Sequence, residues 1–219
     1  INKETPLGIT VFEPNGDLTA RIYADIKEQN ECNKTVLWFN PTLEDCVYFN
    51  PLDNRMDDAI LSITETFLRI NADSPQFFKD MIIVLLRNAI KAAKCLYGDE
   101  ATLLDVKTII CDKEKGLELI NEMSQMINMS TEDTLPIVIV KEYKDVIKWF
   151  EFDYYSDNTK TFENMAGVQK QLTKLMDCDD LRRVLCPPRQ GQSGYDEFKK
   201  FKEKCIEAGV PYQLKFDEA

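Results

Sequence analysis

Histidine is absent from this chain of 219 residues. That removes Ser-His and Cys-His nucleophile pairs and the commonest transition-metal ligand together. The seven cysteines, Cys32, Cys46, Cys95, Cys111, Cys178, Cys186 and Cys205, are widely spread and form no Cys-x-x-Cys pair. Such spacing argues against a zinc site and against a secreted disulfide framework, and favours small buried hydrophobes in a reducing compartment. No Asp-x-Asp-x-Asp-Gly loop offers an oxygen cage for a hard cation. The eight glycines never approach the spacing of a phosphate-binding loop, Gly-x4-Gly-Lys-Ser/Thr or Gly-x-Gly-x-x-Gly. In Ile137-Val138-Ile139-Val140-Lys141-Glu142 a lysine stands where an ATPase strand needs its metal-directing aspartate. The carboxylate pairs Asp57-Asp58 and Asp179-Asp180 suit helix starts, where the dipole favours them. No catalytic residue, metal site or cofactor site is expected from these patterns.

Binding chemistry is better represented. In Trp149-Phe150-Glu151-Phe152-Asp153-Tyr154-Tyr155-Ser156-Asp157, aromatic rings interleave with carboxylates. That mixture makes a contact surface for a basic, amphipathic partner segment, and Trp149, Phe152, Asp153, Tyr154, Tyr155 and Asp157 are the candidate contact residues. The competing reading puts Trp149, Phe150 and Phe152 in the core and lets Tyr154-Tyr155 close a loop. A second candidate, Phe198-Lys199-Lys200-Phe201-Lys202-Glu203-Lys204, suits nucleic acid or acidic protein, or simply a solvated helix face. The formal net charge of -11 disfavours phosphate-backbone binding as the main task and suits basic protein partners or plain solubility.

The elements that must carry these residues are mostly helical. Ser74 to Gly98 reads as a central helix, with Ser74 as cap, Pro75 at its first position, Gly98 at its end, and Met81 to Leu86 apolar all round. Further helices are expected over Asp57 to Ile70, Thr102 to Ile110, Asp112 to about Ile127, Phe162 to Met176, Asp179 to Leu185 and Tyr195 to Ala208. Pro136 to Glu142 is ambiguous between strand and helix, and the continuation through Val146, Ile147 and Phe150 at helical spacing favours helix. Asn128 to Asp133 is a polar loop, Arg189 to Gly194 a flexible linker by composition, and Pro211 to Phe216 extended. At the front, Gly8 to Phe12 and Thr35 to Phe39 read as strands around a helix begun at Asp17, a βαβ unit. Two strands alone do not make a stable sheet. The fold class is therefore mainly α, a bundle of six to eight helices behind a small βαβ piece. Apolar residues at 44% suffice for a core, and no run spans a membrane or directs export.

Three stretches together resemble type IV secretion coupling proteins of the TraG/TraD type, within the HerA/FtsK class of DNA-pumping ATPases. Gly8 to Leu18 (Gly-Ile-Thr-Val-Phe-Glu-Pro-Asn-Gly-Asp-Leu) is similar to the strand and turn that follow the nucleotide-loop helix, although Glu13 and Asn15 replace the usual Asp and Lys. Val36 to Leu52 resembles the next strand and its Phe49-Asn50-Pro51-Leu52 close. Met165 to Leu185 is similar to the segment returning to the motor, and Phe216-Asp217-Glu218-Ala219 to the strand where it resumes. Pro187 to Gln213 matches nothing in that pattern and reads as an insertion or a join. The resemblance implies that 1–52 flank a RecA-like motor, that 53–186 form its all-α domain, and that 187–219 comprise linker, basic helix and return strand. With Ile1 at the start and Phe-Asp-Glu-Ala at the end, the chain reads as a piece excised between the ATP loop and the acidic magnesium strand. The piece would be a non-enzymatic monomer without cofactor. Its parent would be a hexameric, ATP- and magnesium-dependent DNA translocase at the cytoplasmic face of the membrane. The implied role is docking of relaxase, relaxosome accessory proteins or other cargo. Direct DNA contact through Arg87, Lys91, Lys94 and the Lys199 to Lys204 helix, or a structural spacer role, are the alternatives.

Overall fold

The structure is a computed structural model that describes residues 11, 13, 16–29, 38–44, 46–130 and 135–214. The chain divides into two compact units, Ile1–Val47 and Tyr48–Ala219.

In the first unit the described residues form one helix, α1 (Asp17–Gln29). It begins at Asp17 as expected, and the Glu13 carboxylate caps it, accepting from the amides of Leu18 at 2.9 Å and Thr19 at 3.1 Å. Gly16 at φ 79° makes the turn into the helix, a conformation that costs a residue without a β-carbon nothing. Most of the two expected flanking strands lies outside the described residues. The described parts, Val11 and Trp38-Phe39, carry no strand, so the βαβ piece is not observed. Two strands without further neighbours do not make a stable sheet, and no third strand stands among the described residues.

The described residues of the second unit form nine α-helices: α2 (Met56–Ile70), α3 (Gln76–Tyr97), α4 (Leu103–Cys111), α5 (Lys113–Met129), α6 (Ile137–Trp149), α7 (Thr161–Asn164), α8 (Ala166–Asp177), α9 (Asp179–Leu185) and α10 (Tyr195–Glu207). With α1, which belongs to the front piece, this makes ten α-helices among the described residues; the bundle itself has nine, one more than the upper end of the expected six to eight. The surplus has a simple origin: the single helix expected from Phe162 to Met176 is broken at Met165, leaving the four-residue α7 ahead of α8. The ambiguous Pro136 segment is helix, as its spacing indicates, with Pro136 at the cap position and its carbonyl accepting from Ile139 and Val140.

α3 is the hub, packing against α2, α4, α5 and α6. Ile82, Leu85, Leu86, Ala89, Ile90, Ala92 and Ala93 on it are buried, and each large aliphatic there contributes about 1.5–3 kcal/mol of transfer free energy. Its cap differs from expectation. Pro75, not Ser74, occupies the cap position, and the Pro75 carbonyl accepts from Phe78 and Lys79. Nor is the apolar centre covered on every side: Val84 is exposed, and so are Phe77 and Phe78 at the first turn.

Residues 48–54 tie the two ends of this unit together. Tyr48 makes an isolated parallel bridge with Gln213, its amide donating to the Tyr212 carbonyl and its carbonyl accepting from Leu214. Of the stretch expected to be extended from Pro211 to Phe216, Gln213 carries this single bridge and Tyr212 a bend; residues 215–219 lie outside the described ones. Phe49 donates to the Val184 carbonyl. Asn50, buried, spends its side-chain amide on the Ala101 carbonyl at 2.8 Å and its side-chain oxygen on the Leu52 amide. Lys94 donates to the carbonyls of Leu52 and Asn54, both at 2.8 Å. The polar groups of this buried turn are thereby given partners, as burial requires.

Candidate functional site

The aromatic and acidic stretch leaves α6 through a π-helical turn, Phe150–Tyr154, in which the Tyr155 amide donates to the Phe150 carbonyl at 2.9 Å. One extra residue in the turn rotates the residues after it by about 100° relative to an α-helix, and such turns recur at functional positions. Here the rotation sorts the stretch into an inner and an outer face. Phe150, Tyr154 and Tyr155 are buried, Trp149 is half-buried, and Phe152, Asp153 and Asp157 face solvent. Phe152 is 69% exposed.

The inner face is a ring cluster. Trp149 stacks on Tyr154 with centroids 5.4 Å apart, Phe150 stacks on Tyr155 at 5.5 Å, and Phe162 closes on Tyr154 at 5.4 Å. Both phenols are satisfied: Tyr154 donates to the Ile110 carbonyl at 2.8 Å and accepts from the Gln169 side chain, while Tyr155 donates to the Ile109 carbonyl. Burial pushes both hydroxyls well above the ordinary phenol range, the Gln169 bond opposing it slightly at Tyr154. Gly116 makes room for this arrangement. A β-carbon there would stand 2.0 Å from the Tyr155 hydroxyl oxygen and 2.9 Å from the Ile109 carbonyl oxygen.

The structure thus divides the six candidate contact residues. Phe152 and Asp153 share an exposed turn, tied down by the Thr159 hydroxyl, which donates to the Asp153 carbonyl. Asp157 pairs with Lys113, whose hydrogen bond and charge hold its carboxyl below the usual range. Tyr154 and Tyr155 act as the base on which that turn rests, and Trp149 forms its edge. The basic helix α10 has its own sorting: Phe198 and Phe201 pack on Tyr48, Lys202 lies over the Tyr212 ring, and Lys199, Lys200 and Lys204 are exposed.

One constellation escapes a reading by composition. Arg189, expected in a flexible linker, makes a bidentate pair with Asp105 at 2.7 and 2.8 Å, donates to the Glu100 carbonyl, and lies 3.9 Å over the Tyr97 ring. Asp105 also caps α4, accepting from the amide and the hydroxyl of Thr102. Its signal in the sequence is the Thr102-x-x-Asp105 capping pair; the partner 84 residues away leaves none.

Among the described residues no group of three His, Cys, Asp or Glu side chains could hold a metal ion, and no helix is long and apolar enough to cross a membrane. No family model, no curated protein and no solved structure matches this chain.

Proposed function

We propose that this chain is a protein-docking helical domain, the cargo-recognition part of a type IV secretion coupling protein that docks relaxase, relaxosome accessory proteins or other secreted cargo for a DNA-translocating motor. On this reading the ATP and magnesium chemistry belongs to the parent protein, at the cytoplasmic face of the membrane, and the chain itself only binds. The observation that carries it is the π-helical turn: Phe152 stands 69% exposed beside Glu151 and Asp153, on a rigid base of buried rings. A large aromatic on a fixed support is the form an interface anchor takes, because it binds without losing much side-chain freedom. The surrounding carboxylates and the net charge of -11 then steer basic cargo toward it.

The test is binding of the purified chain to the relaxosome proteins encoded alongside its parent gene, at low and at high salt. The proposal expects saturable binding that weakens as salt rises. Salt-insensitive binding removes the steering; absence of binding removes the function.

A further inference from the structure

A second face, independent of the coupling-protein reading, lies along the outside of α5. Glu114, Glu118, Glu122, Met126 and Met129 follow one another at intervals of three or four residues, so they share one side of the helix. All five are exposed, whereas Gly116, Ile120, Met123 and Ile127 on the opposite side are buried. The stripe is roughly 22 Å long. Its last turn carries an uncommon load: Met129 is 81% exposed and Met126 43%. α6 packs on α5 and begins just after it, placing Ile137 at 65% and Val138 at 77% exposure at the same end of the bundle. Thioether side chains adapt to many apolar surfaces, which suits them to contact rather than to solvation.

Charge decides what can cover this face. The three glutamates have no ion-pair partner among the described residues. The two lysines of the helix are used elsewhere, Lys113 on Asp157 and Lys115 on Asp112. Lys141, exposed one turn into α6, is the cation on that neighbouring helix nearest in sequence to the apolar end. A second copy of the chain would set carboxylate against carboxylate. Anionic lipid and nucleic acid are repelled by the same charges. What remains is a basic segment with an apolar stripe, in the helix-on-face mode.

We propose that the outer stripe of α5 with the first turn of α6 is a docking surface for a basic amphipathic helix of a partner protein. Its apolar residues sit at the methionine end and its lysines or arginines lie along Glu114, Glu118 and Glu122.

The experiment uses the whole chain and a fluorescein-labelled synthetic helix of leucine and lysine, about five turns long, with a glutamate-for-lysine version as control. Anisotropy titration at low salt is expected to give saturable binding to the lysine peptide only. Backbone amide shifts in the labelled chain are expected on 114–129 and 137–141. The triple variant E114Q/E118Q/E122Q should bind roughly tenfold more weakly, from three exposed charge contacts. M126Q/M129Q should lose a comparable factor, and L61Q, on the exposed side of α2, should bind like the parent chain. All these side chains are exposed, so the variants keep the fold. Shifts centred elsewhere, equal binding of the two peptides, or affinities of both stripe variants within twofold of the parent chain would each overturn the proposal. Peptide seated on the π-turn instead would shift 149–157 and be weakened by F152A but not by the stripe variants, so either proposal can fail without the other.

Discussion

Replacing Gly116 by alanine separates this structure from the expectations of helix chemistry, because the two predict opposite signs. Gly116 lies inside α5 with ordinary helical backbone, and an alanine at such a position gains about 1 kcal/mol from propensity alone. In the folded chain the added carbon would meet the Tyr155 hydroxyl oxygen at 2.0 Å, Tyr155 Cζ at 2.8 Å and the Ile109 carbonyl oxygen at 2.9 Å. The phenol must move. Forcing a carbon into a filled core costs about 1–3 kcal/mol. Pulling the hydroxyl off the Ile109 carbonyl leaves buried polar groups unpaired at a further 1–3 kcal/mol or so. The net effect should be about 3 kcal/mol of destabilisation, taken from the middle of those ranges less the propensity gain. The assay is urea unfolding followed by circular dichroism for Gly116→Ala, Tyr155→Phe and the double variant. The two changes should be non-additive, the double being less destabilised than the sum, since removal of the hydroxyl relieves the worst clash. A Gly116→Ala chain more stable than the parent, or strict additivity, would refute the placement of Tyr155 as an internal support.

Two further outcomes rest on the buried polar groups. Arg189→Ala leaves the Asp105 carboxylate with only its two Thr102 bonds and should cost about 3 kcal/mol, the low end for breaking a buried pair; Arg189→Lys should recover less than half in the same urea titration, since an ammonium cannot bind bidentately. Burial holds Tyr154 and Tyr155 neutral in the fold and pushes the Cys95 thiol up to about 11. Each folded-state value lies above the unfolded one, so the contribution is complete below the unfolded value and is lost as pH rises through the folded one. Stability should be level between about pH 7 and 8 and fall above about 9, by up to about 1.4 kcal/mol per pH unit for each group that titrates. Urea midpoints across that range check it, and Tyr154→Phe should flatten the slope above pH 10 or so.

How much could be read beforehand differs by element. The helices of the second unit announce themselves through spacing and punctuation. Asp112 caps α5 by accepting from the Lys115 amide, Thr102 and Asp105 box α4, and Gly98 at φ 58° ends α3. Side-chain periodicity therefore outweighed the β-branched run Ile137 to Val140 in deciding α6. Local pattern says nothing about a π-turn, however. Whether Phe152 or Tyr154 faces inward depends on one extra residue in the turn, and both are compatible with either face until α4 and Gly116 are placed beside them. The aromatic stretch was thus legible as a site of aromatic and acidic chemistry, but not as two faces. Arg189 was hidden for a related reason: Arg-Gln-Gly-Gln-Ser-Gly has a linker's composition, and its anchor on α4 is a long-range contact. Phe49-Asn50-Pro51-Leu52 was legible as a motif, and its buried Asn50 and Leu52 are what the short turn needs to seat on the bundle.

Cargo recognition at the outer face of the π-turn is tested most directly by F152A/D153N, measured by calorimetric titration against the relaxase and accessory proteins of the same genetic element. Both side chains are exposed, so the circular dichroism and melting of the variant should match the parent chain. The account predicts a loss of at least tenfold in affinity, as removal of an aromatic anchor gives. Affinity equal to the parent chain's would contradict it.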